Sequence, residues 1–477
     1  YNIINMIWYI LRRQTIRLFL KMKAVGKKLK VFRLNYRIFR KILNLPITIK
    51  YSLIKTVFIF HPSILSFLCR NSYIIRKNWA PAKIVNKTTP KILHVTCSFD
   101  LGGTQRQILN LCKNSDNRDV YHSTIEIFPE YNYLYRKGIK LERNRYVRGN
   151  YLFRFLGRWT LNIAYRSLQV VQIYKLVRDF QTLKPDVVVG WGHEVAMLTF
   201  VAATVVKVPK ILFCIRTVNP SYGWTGIGPL LYKAHKKMIP YIDGVIVNST
   251  LLQRDYAEWM NIPVNKVRVC ANGIETHPLS PKERSISRKK IRNQYKIYEE
   301  AIIIVNIGRF SKEKGQIVMV KAFEKLINLW PEKKLYCLLC GDGPTQNEIK
   351  SYVKNNNVHN VIFTGRISDI HLYLSAVDIF VMPSDFEGMP NAMMEAMSYG
   401  LPCVSTNNSG VLDIARDNIE ALYVDVGSVE QMFEKLSYLI ENPNECKRLG
   451  LKSEKRLKEF SIQKMIDTFN RHLEEIL

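Results

Sequence analysis

The first ninety residues contain no aspartate and no glutamate; the first carboxylate of the chain is Asp100. The same stretch holds 19 Lys and Arg, so of a net charge of +32 it leaves only about +13 for the other 387 residues. Other absences narrow the classes of function. No GxxxxGK[ST] string occurs, which excludes a P-loop, and no GxGxxG, which removes the main mark of a dinucleotide site. No Asp-x-Asp occurs either, so a metal bridging a diphosphate is not expected and no cofactor is called for. The longest uncharged runs of the first ninety residues, 1–11 and 56–69, fall short of the roughly 20 residues that cross a bilayer. Cysteine is sparse and scattered, nine in all, which suits reduced thiols rather than a disulfide scaffold. Cys337 and Cys340 form a CxxC inside KLYCLLCGDG, but that string reads as a buried strand and no second Cys/His pair accompanies it, so no metal site is expected.

What is present is a globular composition, 47% apolar and 11% aromatic, over 477 residues. That length predicts two domains plus an appendage. The appendage is residues 1–90. There Arg33, Arg37, Arg40 and Lys41 recur at helical spacing beside Phe32, Leu34, Ile38, Phe39, Ile42 and Leu43. A basic amphipathic helix rich in apolar residues suits an anionic membrane surface, where apolar burial and attraction to headgroups add. A helical subdomain packed on the body is the plainer reading. A nucleic-acid arm ranks last, because binding a polyanion does not need so many Ile, Leu and Phe. No cleavable secretory signal is recognisable. The expectation is a cytoplasmic protein, peripheral at the inner face of the cell membrane.

From residue 91 short apolar runs alternate with helical patterns. Strands are predicted at 91–99, 123–128, 186–191, 210–216, 243–249 and 266–273, with helices at 104–114 and 250–260 among them. A polar, basic break at 276–297 reads as a linker and a lead-in helix. A second series follows, with strands at 301–308, 334–341, 361–365, 378–384, 402–407 and 421–427, and then a helical tail. The alternation predicts α/β domains with parallel doubly wound sheets, 91–278 and 279–459, facing each other across a cleft. Ligands of such sheets bind at the carboxyl ends of the strands.

Three glycine-bearing loops sit at predicted strand ends. FDLGGTQRQILNL (99–111) places Gly102 and Gly103 before a helix opened by Thr104, where a backbone can approach a ligand closely. IGRFSKEKGQ (307–316) places Arg309 and Lys314 beyond a buried strand, suited to a pair of phosphates. PSDFEGMPNAMMEAMSYGLP (383–402) places Glu387 in a loop and Glu395 about one turn into a helix, with Ala392, Met393, Ala396 and Met397 as core candidates. A helix mouth attracts anions, yet two bare carboxylates repel a phosphate. The conflict resolves if the glutamates face hydroxyls, one on a ribose and one on a sugar, while Arg309 and Lys314 offset a diphosphate. That describes a nucleotide-sugar site.

The ordered set GGTQR, NGIE (272–275), GRFSKEKG, GDGP (341–344), FTG (363–365) and PSDFEGMPN resembles the retaining family-4 glycosyltransferases of the glycosyltransferase-B fold, over roughly residues 91–460. The resemblance implies two facing Rossmann-like domains, the first for the acceptor and the second for the donor, with a last helix (about 460–477) crossing back to the first. It implies that Arg309 and Lys314 hold the diphosphate, Glu395 the ribose and Glu387 the transferred sugar. Backbone groups of Gly388, Met389 and Asn391 would meet the distal phosphate and sugar, and Gly365 and Arg366 the base. Asn272, in NGIE, belongs with the uncertain or acceptor-side positions. One departure concerns a family histidine: the matching stretch ILFCIRTVNP offers Arg216, while His193 lies after the preceding strand.

The reading implied is a retaining transfer of a hexosyl or N-acetylhexosaminyl group from a UDP-sugar or GDP-sugar to a saccharide or lipid-linked acceptor, in cell-envelope or surface polysaccharide assembly. A sugar phosphorylase or epimerase on the same fold, and a non-catalytic polyanion-binding protein, are the alternatives. The first would need a pyridoxal-phosphate lysine context that is not seen. The Glu-x7-Glu pattern speaks against the second, and steep salt-dependent binding to nucleic acid would mark the third.

Overall fold

The computed structural model describes residues 90–97, 102–113, 120–125, 161–219, 235–275 and 280–477. The basic extension, with its expected helix and membrane contacts, lies outside them, as do residues 130–160. Among the described residues no helix is long and apolar enough to cross a membrane.

Two six-stranded parallel sheets form the framework. The first contains β1 (Ile92–Thr96), β2 (Val120–Thr124), β3 (Val187–Trp191), β4 (Lys210–Ile215), β5 (Gly244–Val247) and β6 (Val267–Val269), in the order β2-β1-β3-β4-β5-β6. The second contains β7 (Ile302–Ile307), β8 (Leu335–Cys340), β9 (Val361–Gly365), β10 (Ile379–Met382), β11 (Cys403–Thr406) and β12 (Leu422–Val424), in the order β12-β11-β10-β7-β8-β9. Both are doubly wound, as two Rossmann-like domains of the glycosyltransferase-B fold. Strand direction of travel reverses between β1 and β3 in one sheet and between β7 and β10 in the other, which opens a crevice at each reversal.

The strands are near-continuous apolar runs because both faces of each sheet are covered. In the first sheet Val188, Ile211, Phe213 and Ile215 join the core on one face, while Val187, Val189, Leu212 and Cys214 join the core on the other. The second sheet divides in the same way. Cys337 lies on one face of β8 and Cys340 on the other, so the CxxC thiols point apart into separate cores and cannot share a metal.

The helices that position the site are α1 (Gly103–Lys113), α2 (Leu161–Leu183), α3 (His193–Val206) and α4 (Thr250–Met260) in the first domain. In the second they are α5 (Pro281–Tyr295), α6 (Gln316–Leu329), α7 (Gln346–Asn355), α8 (Ile370–Leu374), α9 (Asn391–Ser398), α10 (Ser409–Leu412), α11 (Val429–Glu441) and α12 (Pro443–Leu457). The predicted lead-in helix is α5, started by a capping box in which Ser280 and Glu283 satisfy each other's backbone N–H, with Pro281 at the first helical position. The last helix, α13 (Ile462–Glu474), packs Met465, Ile466, Phe469 and Leu473 onto the first sheet, so the chain crosses back.

One strand differs from expectation. The second begins at Val120 rather than 123, in register with β1 from Ile92↔Val120 to Thr96↔Thr124. Its sequence, VYHST, hides the strand because its inward Ser123 is polar. Ser123 is buried nonetheless, donating to Asp179 at 2.7 Å beside the Lys175–Asp179 ion pair at 2.9 Å, so the polar group is matched inside the core.

The first domain buries histidines. His94 accepts the Trp191 indole N–H at 2.9 Å and its pKa falls to about 3, through burial and then the neighbouring His122. Burial also lowers His122 and His193 to about 4 each, and drives His235 well down. These groups stay neutral when folded but protonate near 6.5 when unfolded, so their contribution is complete above that pH and is lost as the pH falls through 6.5 towards 4. The thermal midpoint of the first domain is therefore expected to drop between pH 7.5 and 5, more steeply than that of the second. A calorimetric pH series checks this, and a first-domain midpoint flat over that range would count against it.

Candidate active site

The site grows from the switch point of the second sheet. β7 ends at Ile307 and hands over through Gly308 to Arg309 and to the short turn carrying Lys314, while β10 ends in the loop Ser384–Pro390 that leads into α9. Both loops stand at carboxyl ends of adjacent strands, so the two predicted motifs meet without either being long. Lys314 Nζ donates to Glu387 Oε1, and Ser384 Oγ donates to the same oxygen at 2.9 Å. Asp385 N donates to the Glu313 carbonyl at 2.8 Å, tying the loops through their backbones as well. Arg309 is exposed and its side chain enters no ion pair among the described residues, so its guanidinium is available to a ligand.

Arg366 and Gly365 follow β9 on the same edge. Arg366 Nε donates to the Asp342 carboxylate at 2.8 Å, and Asp342 accepts the Phe310 backbone N–H at 2.8 Å, which links the Arg366 loop to that of Arg309. Gly365 sits at φ +71° with open space beside its Cα. The helix α9 buries Met393, Met394, Ala396 and Met397 in the second-domain core, with Ala392 at its margin. This packing fixes the face from which Glu395 projects.

The other wall is the first domain. Arg106, one turn into α1, pairs with Glu395 Oε1. Glu395 Oε2 is buried without a hydrogen-bond partner. Burial raises the Glu395 carboxyl pKa and the Arg106 pairing opposes that rise. Gln107 Nε2 donates to Asn391 Oδ1 at 3.2 Å, and Asn272 Nδ2 donates to the same atom at 2.8 Å. Arg216, at the end of β4, donates through Nη1 to Asn272 Oδ1 at 2.7 Å and to the Cys270 carbonyl at 3.1 Å. Its guanidinium lies 4.8 Å from the Trp191 ring centroid. Thr250 donates its backbone N–H and hydroxyl to Asp413, each at 2.5 Å, and Phe386 of the Glu387 loop packs against the first-domain core.

Two glycines make the approach possible. A Cβ on Gly388 would stand 2.3 Å from the Arg216 carbonyl oxygen, and one on Gly103 would stand 2.4 Å from Asn391 Nδ2. Both are close contacts between the domains, which is the need that glycine meets here. Gly102 precedes α1, Thr104 is half-buried in its first turn, and Met389 meets the Asn272 backbone N–H through its sulfur at 3.1 Å.

The structure therefore brings together Glu387, Lys314, Glu395, Gly388, Met389, Asn391, Asn272, Arg216 and Gly103. His193 is different. Its Nε2 must donate to the Val218 carbonyl at 2.8 Å, which leaves Nδ1 to accept from the Tyr256 hydroxyl at 2.7 Å, and it is buried among Tyr256 and His235. With both ring nitrogens engaged inside the core it is a structural histidine and not a cleft residue. Sequence reasoning missed Arg106 and Gln107. The signal was their spacing: positions 103, 106 and 107 share one helix face.

Residues 287–456 match the family model of the glycosyl transferases group 1, and residues 101–277 match that of glycosyltransferase family 4. The chain belongs to the group 1 glycosyltransferases. This glycosyltransferase is 26% identical over 260 residues to an uncharacterized glycosyltransferase of Methanocaldococcus jannaschii, a match covering 52% of this chain and 61% of that protein. It is 24% identical over 307 residues to the Vi polysaccharide biosynthesis protein VipC/TviE of Salmonella typhi, covering 62% and 52% respectively. The matched region thus spans between half and two thirds of these relatives. Among solved structures, Anabaena HepE in complex with UDP and glucose superposes with a TM-score of 0.65 at 17% identity, over 81% of this chain and 99% of that one. At that identity the likeness speaks to the fold. The group 1 match takes in the strands from β7 onward, and the family 4 match runs from α1 to beyond β6.

Proposed function

We propose that this protein transfers a sugar, with retention at the anomeric carbon, from a UDP-sugar to a saccharide or lipid-linked saccharide during assembly of a surface polysaccharide. The observation that carries the reading is the convergence at the β7/β10 switch point of Lys314, Arg309 and Glu387, with Glu395 one helix turn beyond. Cations and carboxylates alternate there, which suits a ligand that alternates charge and hydroxyl: diphosphate, ribose, sugar. Relatives support the assignment of chemistry. HepE is solved with UDP and with UDP-glucose, and VipC/TviE bears the name of a polysaccharide biosynthesis protein.

In this reading the bond from the anomeric carbon to the distal phosphate oxygen breaks as the acceptor hydroxyl approaches the same face of the sugar. The new carbon–oxygen bond forms there, and the hydroxyl proton leaves with the departing phosphate oxygen. Arg309, Lys314 and the first turn of α9 stabilise the charge that develops on the diphosphate. Glu387 orients a sugar hydroxyl and Glu395 a ribose hydroxyl. In this scheme Arg309 and Lys314 neutralise the diphosphate, and neither a metal nor a cofactor is given a part. The lipid-linked acceptor and a location at the membrane surface rest on the 19 bases and the apolar residues of the first ninety.

Thermal-shift titration with UDP and GDP tests the donor. UDP is expected to stabilise the protein, by about 2.7 kcal/mol at a hundredfold excess over its dissociation constant. Stabilisation by GDP alone would replace the donor assignment, and no response to either nucleotide would remove it.

A further inference from the structure

The pairing of Arg106 with Glu395 has no place in the donor scheme above. Glu395 is the carboxylate assigned to the ribose, yet a cation from the opposite domain occupies one of its oxygens. The contact is part of a continuous seam. Gly103, Arg106 and Gln107 stand at i, i+3 and i+4 on α1, and Asn391 and Glu395 at i and i+4 on α9. The two helix faces meet: Gly103 against the Asn391 amide, Gln107 to Asn391 at 3.2 Å, Arg106 to Glu395. Gln107 also accepts the Gly273 backbone N–H at 3.1 Å, which anchors the middle of the face.

The pair is uneven. The Glu395 side chain is 13% exposed and that of Arg106 is 39% exposed, so the carboxylate is the buried partner and the guanidinium reaches in from solvent. Glu395 Oε2 remains buried with no hydrogen bond. A carboxylate in that position is costly unless something donates to it. Arg106 compensates one oxygen, and a pair of ribose hydroxyls would compensate both. The two occupants compete for the same carboxylate, and only one of them belongs to the opposite domain.

We propose that Arg106 is an interdomain latch: it holds Glu395 while the donor site is empty, keeps the cleft closed, and must leave Glu395 when a ribose binds. This rests on the assignment of Glu395 to the ribose in the proposed function, and it gives a role to Arg106, which stands in the GGTQR string but was assigned none there. Arg106 acts here through Glu395 and is a positioning residue. Its charge is the essential property, because a neutral side chain of the same length gives the buried carboxylate less compensation.

Solution scattering of the nucleotide-free protein and calorimetric titration with UDP and GDP test the latch together. In Arg106→Ala the empty protein is expected to be more extended than wild type, and the nucleotide that binds is expected to bind about 3- to 10-fold tighter. Arg106→Lys, which keeps the charge, should stay near wild type on both readouts. An empty Arg106→Ala protein as compact as wild type, or one whose nucleotide affinity is unchanged or weaker, overturns the proposal. The scattering arm needs no ligand. If wild type binds neither nucleotide while Arg106→Ala still opens the cleft, the donor assignment and the ribose competition fail, and only the closing role of the pair stands. If nucleotide binds wild type and Glu395→Ala equally, Glu395 is not the ribose carboxylate, and the competition falls with it.

Discussion

Replacing Lys314 by alanine is expected to lower the turnover of glycosyl transfer by about 10²–10³-fold, the loss typical when one fixed electrostatic partner of a developing anion is removed. The ammonium stands at the carboxyl end of β7 and is bonded to Glu387 from the adjacent β10 loop. Its removal has two consequences. The leaving diphosphate loses a cation, and Glu387, whose side chain is only 14% exposed, loses the ammonium bonded to its carboxylate. A double-mutant cycle separates these. Glu387→Gln should cost less in the Lys314→Ala background than in wild type, because either single change already removes the Lys314–Glu387 ion pair. The measurement is kcat and KM from nucleotide release. A rise in KM with kcat intact would show that Lys314 binds the ground state and transition state alike, and would end its role in stabilising the leaving group.

Substituting Phe469 by alanine should produce the largest loss of stability, about 3–5 kcal/mol, the usual range for truncating a buried aromatic. Phe469 is 2% exposed on α13. Its ring lies stacked 6.3 Å from Trp191 and 5.5 Å from His94. Truncation opens a cavity beside the hydrogen-bonded His94–Trp191 pair and loosens the part of the helical tail that rests on the first sheet. The first-domain thermal midpoint should fall by roughly 6 °C or more. The core of the second domain does not include Phe469, so its transition should move little. A first-domain shift below about 2 °C would show that α13 is an accessory to that core and not part of it.

Much of the architecture was legible because buried parallel strands leave a strong trace. VVVGW, KILFCI and LYCLLC are apolar on both faces, and no other element of that length asks for such a run. The exception, VYHST, was displaced because its inward polar residue is paired with groups on α2, 52 and 56 residues away. Local pattern carries no record of such a partner. The same limit governs the site. Glu387, Lys314 and Arg309 stood out as charges beside glycine at strand ends, where solvated strand-linking loops are otherwise neutral to function. Arg106 stood in the GGTQR string without a role, since its partner is 289 positions away. His193 erred in the opposite direction. A histidine after a strand reads as a ligand candidate, but Tyr256 and the Val218 carbonyl use both of its nitrogens.

Periodicity, turn residues and charge placement therefore determined two doubly wound domains and the strand ends at which Arg309, Lys314 and Glu387 stand. Each of those follows from interactions within a few residues. Which groups share the seam, that Arg106 and not solvent meets Glu395, and that Arg216 is braced by Asn272 and Trp191 were decided only when the two domains packed. Side chains far apart in the chain come within hydrogen-bonding distance only through the sheets that carry them, and burial then fixes what each charge must find as a partner.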